Sequence, residues 1–246
     1  MNKIKNIYIS YWFHELSDNP SSKVLALEEE IKSIIDEPIM YNEDNSHTNL
    51  SIPRLQGMSK DKKYLFTMSL INAVLSINVI DDISVDDVIL LINNNIQLFY
   101  DIIRRVYGIE IVYTSIKIEM IDEAKNVKNK LIKQMNLSKK DYENISFKRG
   151  FVKDNYYINY ILECAQEYNF NFDNGNNLSE VDLFDKTMVT SLLDAKLNSE
   201  YMLTVVEINN RYAYNKNRDY ITNKDDLRGM IIELKDILNN KLYNEM

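Results

Sequence analysis

With two histidines, one cysteine and five glycines in 246 residues, the chain is poor in the residue types that most recognisable chemistry draws on. A zinc cage, a cysteine–histidine nucleophile pair and a glycine-rich phosphate loop each need several of them close together. His14 and His47 stand far apart, and neither has a partner at ligand spacing. Cys164 has no second cysteine with which to form an internal disulfide, so nothing points to an oxidising compartment. No stretch approaches the ~18 apolar residues of a membrane span. Lys3 and Lys5 are not followed by a signal-like apolar run, because Ser10, His14 and Glu15 interrupt it. A cytoplasmic protein with no membrane partner and no cofactor is expected.

What is present describes a folded object. Hydrophobic residues make up 45% of the chain and aromatic residues 11%, values of a globular protein rather than a disordered one. Charged residues make up 27% and the net charge is -8, which argues against non-specific binding to nucleic acid or anionic membranes. Asn, Ile, Lys and Tyr are plentiful, and all four have AT-rich codons, as in a low-GC bacterium or its phage. The asparagines are spread along the chain and interrupted by charge, so they make no prion-like tract.

Residues Ile4 to Phe13 are β-branched and aromatic and predict a strand, which Ser17-Asp18-Asn19-Pro20 breaks. From Ser22, the residues Val24, Leu27, Ile31, Ile34 and Ile35 recur at helical spacing until Pro38. Tyr41 to Asn49 reads as a loop. Lys60-Asp61-Lys62-Lys63 is a polar turn between Ile52-to-Met58 and Tyr64-to-Ile71, and Asn72 marks a second turn before Ala73 to Ile80. The three runs make an antiparallel meander.

Ser84, followed by Asp86 and Asp87, predicts a helix start with acidic side chains at the positive end of the dipole. Val88, Leu91, Ile92, Ile96, Phe99, Ile102, Ile103 and Val106 form its apolar stripe. Arg104, Arg105 and Gly108 suit its C-terminal end. A strand is predicted over Ile109 to Met120, and a lysine-bearing helix over Ile121 to Met135. Ile145 to Val152 and Asn155 to Leu162 read as strands paired around Lys153-Asp154. Asn171 to Ser179 reads as a loop, Thr187 to Leu197 fits strand or helix, and Tyr201 to Tyr214 reads as a strand. Thr222 or Asn223 caps a final amphipathic helix.

Strands come in runs joined by short polar turns, so the expected class is α+β, with antiparallel sheet packed against amphipathic helices. Two α+β halves, 1–140 and 141–246, or one continuous domain, both fit this order. The succession hairpin, long helix, Gly108, strand, from Pro53-Arg54-Leu55 to Tyr113-Thr114, resembles a family of uncharacterised bacterial α+β proteins. The resemblance spans about a quarter of the chain and implies a fold, not an activity.

Two constellations are candidates for chemistry. Asp81, Asp82, Asp86 and Asp87 gather carboxylates that would suit a hard divalent cation, although a helix start explains two of them without a metal. Arg211, Tyr212, Tyr214, Lys216 and Arg218 interleave rings and cations, as a surface that stacks bases and meets phosphates does. On one face of a strand, tyrosines are more often half-buried core than a nucleic-acid surface, and half-buried core is the expectation here. Asp122 and Glu123-Ala124-Lys125 spell an acid-x-lysine nuclease motif at a helix start rather than on a strand, and Glu233-Leu234-Lys235 repeats it inside a helix. His14 beside Trp12 and Phe13 reads as packed or surface. Cys164 reads as a small core residue.

An acidic stretch from Glu15 to Asp44 and a basic one from Lys117 to Arg149 suit steered protein association, or two ordinary solvated faces. The function expected is therefore a protein-interaction module with another protein as partner, of the immunity, antitoxin, defence-accessory or phage anti-defence kind. The alternative is a Mg²⁺-dependent enzyme of nucleic-acid or nucleotide processing that uses carboxylates.

Overall fold

The computed structural model describes residues 3–17, 21–41, 49–122, 146–169 and 196–240. Within them, nine strands form one sheet in which every pairing is antiparallel. In chain order these are β1 (Lys3–Phe13), β2 (Met40–Tyr41), β3 (Leu55–Met58), β4 (Tyr64–Met68), β5 (Asn72–Asn78), β6 (Ile111–Asp122), β7 (Ser146–Lys153), β8 (Tyr156–Asn169) and β9 (Lys196–Asn209). The helices are α1 (Ser21–Ile31), α2 (Val85–Tyr107), α3 (Arg211–Lys216) and α4 (Lys224–Asn240). The class is α+β, and the spatial order across the sheet is β2-β3-β4-β5-β1-β6-β9-β8-β7.

The meander forms where its turns predict it. Lys62 takes the left-handed conformation (φ 58°), while the Asp61 carboxylate accepts the Lys63 N–H at 2.9 Å and the Ser59 hydroxyl at 2.6 Å. The β7–β8 hairpin turns the same way at Asp154, with φ 53°. Between these hairpins lies the non-local part. β1 sits in the middle of the sheet, flanked by β5 and β6, and β6 pairs in turn with β9 from Ser115 to Asp122. One sheet thus runs across residue 140.

Alternation along the strands divides the sheet into two faces. Ile7, Ile9 and Tyr11 of β1, and Ile116 and Ile118 of β6, are fully buried on the inner face. α2 lies across that face. The Tyr11 hydroxyl donates to the Ile96 carbonyl at 2.8 Å, and the Phe66 and Phe99 rings meet at 5.5 Å between centroids. Ser84 caps α2 by accepting the Asp87 N–H at 3.1 Å, and Gly108 ends it with φ 67° as its N–H reaches the Arg104 carbonyl.

α4 runs antiparallel to α2. Lys224 pairs with Asp101 at 2.7 Å and Lys235 with Asp86 at 2.9 Å, at opposite ends of the two helices. A reciprocal box opens α4: the Asn223 side chain accepts the Asp226 N–H, and the Asp226 carboxylate accepts the Asn223 N–H. α1 packs on the same side, where Ile35, just past its end, lies over Gly57 so closely that a Cβ there would meet it at 2.7 Å. No described helix is long and apolar enough to cross a membrane.

Three expectations change. β9 ends at Asn209, and the residues Arg211 to Tyr214 read as strand are instead the helix α3. The reason is Asn210, which is fully buried. Its backbone N–H bonds the Thr114 carbonyl and its side-chain oxygen accepts the Thr114 N–H at 2.7 Å, so one residue takes both bonds that the ladder would otherwise continue. Ile121 and Asp122, read as the start of a helix, are the end of β6, and the rest of that stretch lies outside the described residues. Cys164 is half-buried on β8 rather than in the core. The loop read over Asn171 to Ser179 also lies outside the described residues.

Candidate functional site

The other face of the sheet carries a different chemistry. Following the registers across it, one row reads Ser76, Tyr8, Lys117, Glu207, Asn159, and the next Ser10, Ser115, Asn209, Tyr157, Val152. Tyr8, Ser10, Ser115, Lys117, Glu207 and Asn159 are half-buried. Of the described helices, α1, α2 and α4 lie against the inner face, and only α3 reaches the outer one.

Two glutamates organise the middle of this outer face. Glu119 accepts the Lys117 ammonium at 2.6 Å, the Asn6 amide at 3.0 Å and the Tyr8 hydroxyl at 3.1 Å. Burial alone would raise its carboxyl, but these donors outweigh burial and hold it below the usual glutamate value. Tyr8 moves the other way: burial first, then the Glu119 charge, push its phenol up to about 12. Lys117 also lies over the Tyr8 ring, 4.7 Å from its centroid. Glu207 accepts from Ser115 at 3.0 Å, Asn209 at 3.0 Å and Asn159 at 3.1 Å.

At the α3 end the face becomes aromatic. Trp12 stacks on Tyr113, with centroids 5.3 Å apart and planes 16° from parallel, and Tyr113 meets Tyr214 at 5.9 Å. Arg211 lies over Tyr113 at 5.6 Å and Arg218 over Tyr214 at 4.9 Å. Two residues apart on a helix is about 200° of rotation, so Tyr212 points the opposite way from Tyr214. It meets Tyr157 edge-on at 5.2 Å, with Lys216 over its own ring at 4.3 Å. Burial raises the Tyr113 phenol, against the lowering effect of Arg211.

The five residues of the aromatic–basic constellation therefore lie on a short helix and its exit turn rather than on a strand, with Arg211, Tyr214 and Arg218 at Tyr113 and with Tyr212 and Lys216 at Tyr157. Sequence reading missed the other half of the site: Trp12, Tyr113 and Tyr157 come from β1, β6 and β8. These strands are distant in sequence, and no local pattern records that they lie side by side.

Three of the four clustered aspartates are engaged elsewhere. Asp82 pairs with Lys3 at 3.4 Å, Asp86 with Lys235, and Asp87 accepts the Ser84 hydroxyl at 2.6 Å within the α2 cap. Asp81 is exposed. Among the described residues no group of three or more His, Cys, Asp or Glu side chains is placed to hold a metal. The Glu233-Leu234-Lys235 triplet is split between two ion pairs, Glu233 with Lys153 at 2.6 Å and Lys235 with Asp86. Glu123 and Lys125 lie outside the described residues, as does His47, and His14 is exposed. A shallow cavity of about 520 Å³ opens at the end of α2, lined by Asp101, Arg104, Arg105, Gly108, Ile109 and Glu110. Arg104 is held there by both oxygens of Glu110, at 2.8 and 2.6 Å.

No protein-family model matches the chain, and no curated protein matches it.

Proposed function

We propose that the chain is a protein-binding module whose recognition surface is the outer sheet face at the α3 end. The observation that carries this reading is the Trp12–Tyr113–Tyr214 stack with Arg211 and Arg218 on its rings. Stacked aromatics offer large contact area with little rotamer entropy left to lose, and Trp, Tyr and Arg are the residues that anchor protein interfaces. Around them Ser10 presents a half-buried hydroxyl, while Ser115, Asn159 and Asn209 donate to Glu207 and fix the floor of the surface. Arg211, Lys216 and Arg218 favour a partner with carboxylates at that end. Glu119, held by Lys117, Asn6 and Tyr8, is a fixed acceptor within this surface. Within this class we place an immunity, antitoxin, defence-accessory or phage anti-defence role, on the AT-rich residue usage.

Trp12 is the only tryptophan in the chain, so its fluorescence reports on the stack directly. The test compares the proteins captured from a lysate of the source cell by the wild-type chain and by Trp12→Ala and Arg218→Glu, each first shown to be folded. A specific protein retained by wild type, lost with both variants, and able to change Trp12 emission when purified is the expected result. Capture that ignores both variants would remove this surface from the reading. Saturable, salt-sensitive quenching by a single-stranded oligonucleotide would transfer the surface to nucleic acid.

A further inference from the structure

The two edges of the sheet are built differently. At one edge β2 is two residues long, too short to template another strand. At the other, β7 is eight residues long, pairs with β8 without a register shift from Ser146 to Lys153, and contains no proline. Among the described residues no strand pairs with its outer side. Residues 148 to 153 are all exposed, including Phe151 at 38% and Val152 at 44%. The strand carries Lys148, Arg149 and Lys153 and no acid, on a chain whose net charge is -8.

We propose that β7 is a docking edge for an acidic extended peptide of another protein, added as a tenth strand beside the nine of the sheet. Alternation sets the sequence it prefers. Lys148 and Val152 point to the outer face, while Arg149 and Phe151 point to the inner face, where Phe151 stacks on Tyr160 at 5.9 Å. Lys153 is committed to Glu233. An antiparallel partner strand would place two consecutive apolar residues beside Val152 and Phe151, one residue beside Gly150, then two consecutive acids beside Arg149 and Lys148. That order, apolar-apolar-x-acid-acid, matches cross-strand neighbours on both faces at once. A second copy of the chain is disfavoured as occupant, because β7 against β7 doubles the cations on the ladder with no acid between them.

This inference does not depend on the aromatic stack at α3. Its test uses a fluorescein-labelled ten-residue peptide with a Val-Phe-Thr-Glu-Glu core, followed by anisotropy with the full chain. Three comparisons accompany it: the same peptide with alternate backbone nitrogens methylated, a Lys-Lys counterpart, and the protein with Lys148→Glu and Arg149→Glu together. Saturable binding of the acidic peptide is expected, weakened at least about tenfold by methylation and by the double variant. The double variant should instead take the Lys-Lys peptide, which also shows that it is folded. Trp12→Ala should leave this binding unchanged, so failure here and failure of the α3 surface are separable. No binding, binding indifferent to backbone methylation, or binding indifferent to the charge reversal would each overturn the proposal. Displacement of the peptide by a single-stranded oligonucleotide with equal loss in the double variant would assign the cations to nucleic acid and overturn it as well.

Discussion

On β1, Ile7, Ile9 and Tyr11 are fully buried beneath α2, whereas Tyr8, Ser10 and Trp12, one residue away in each case, are half-buried on the outer face. The same backbone thus serves two surfaces with opposite requirements. Inner-face side chains gain from being taken out of water, so shape and volume govern them. Outer-face side chains keep polar groups that a dry core would penalise, and every such group described at Glu119 and Glu207 is held by hydrogen bonds. A surface this ordered keeps its shape unbound, which would lower the entropy lost in the binding proposed for it.

The largest effect expected from a single change lies on the inner side. Phe99→Ala, which empties a fully buried site against Phe66, should cost ~3–5 kcal/mol in denaturant unfolding. An unchanged midpoint would mean that α2 does not pack as described. Asn210→Ala comes next, at about 1–3 kcal/mol, because it orphans the buried Thr114 N–H and removes bonds to Tyr220 and Thr222. Asn210→Asp keeps the acceptor for Thr114 but not the two donors, so it should fall between wild type and Ala. A loss in Asn210→Asp larger than in Ala would show that the charge, not the missing donors, dominates.

Trp12→Ala should be milder in stability, about 1 kcal/mol for the lost stack on Tyr113, and should act mainly on partner binding. If it unfolds the chain as Phe99→Ala does, the distinction between the two faces fails. The smallest effects concern pH. Glu119 has a lowered pKa in the folded chain, so the stability it contributes is present above the ordinary glutamate range. That stability is lost as pH falls through its folded value. Glu119→Gln should therefore flatten the acid side of the melting-temperature profile. Tyr8, raised from 10.0 to about 12, contributes stability that is complete below pH 10 and lost as the pH climbs between those values. In Tyr8→Phe the alkaline fall across that window should shrink, and an identical fall would assign it to other buried phenols.

Where chemistry is local, the sequence was legible. The α2 helix, from the Ser84 cap to Gly108, and the hairpin turns at Lys60 to Lys63 and at Lys153-Asp154 depend on hydrogen bonds and backbone preferences that span a few residues. The Tyr201 to Tyr214 run misled because tyrosines favour strands by propensity, while Asn210 closes the ladder through a bond to a residue of β6. The aromatic site was half legible. Its cations and two tyrosines are neighbours in the chain, but Trp12, Tyr113 and Tyr157 belong to strands that are distant in sequence.

By itself the sequence determined the α+β class and the long capped helix, because helical spacing and capping are properties of short segments. Tertiary structure alone decided that β1 lies between β5 and β6, that β9 joins β6 to β8, and that β7 is the last of the described strands on its side. Those pairings are chosen by which apolar faces bury one another across long loops. The surface on which the proposed function rests is a product of that choice, since only the pairing of β1 with β6 and the crossing of α3 set Trp12, Tyr113 and Tyr214 in contact.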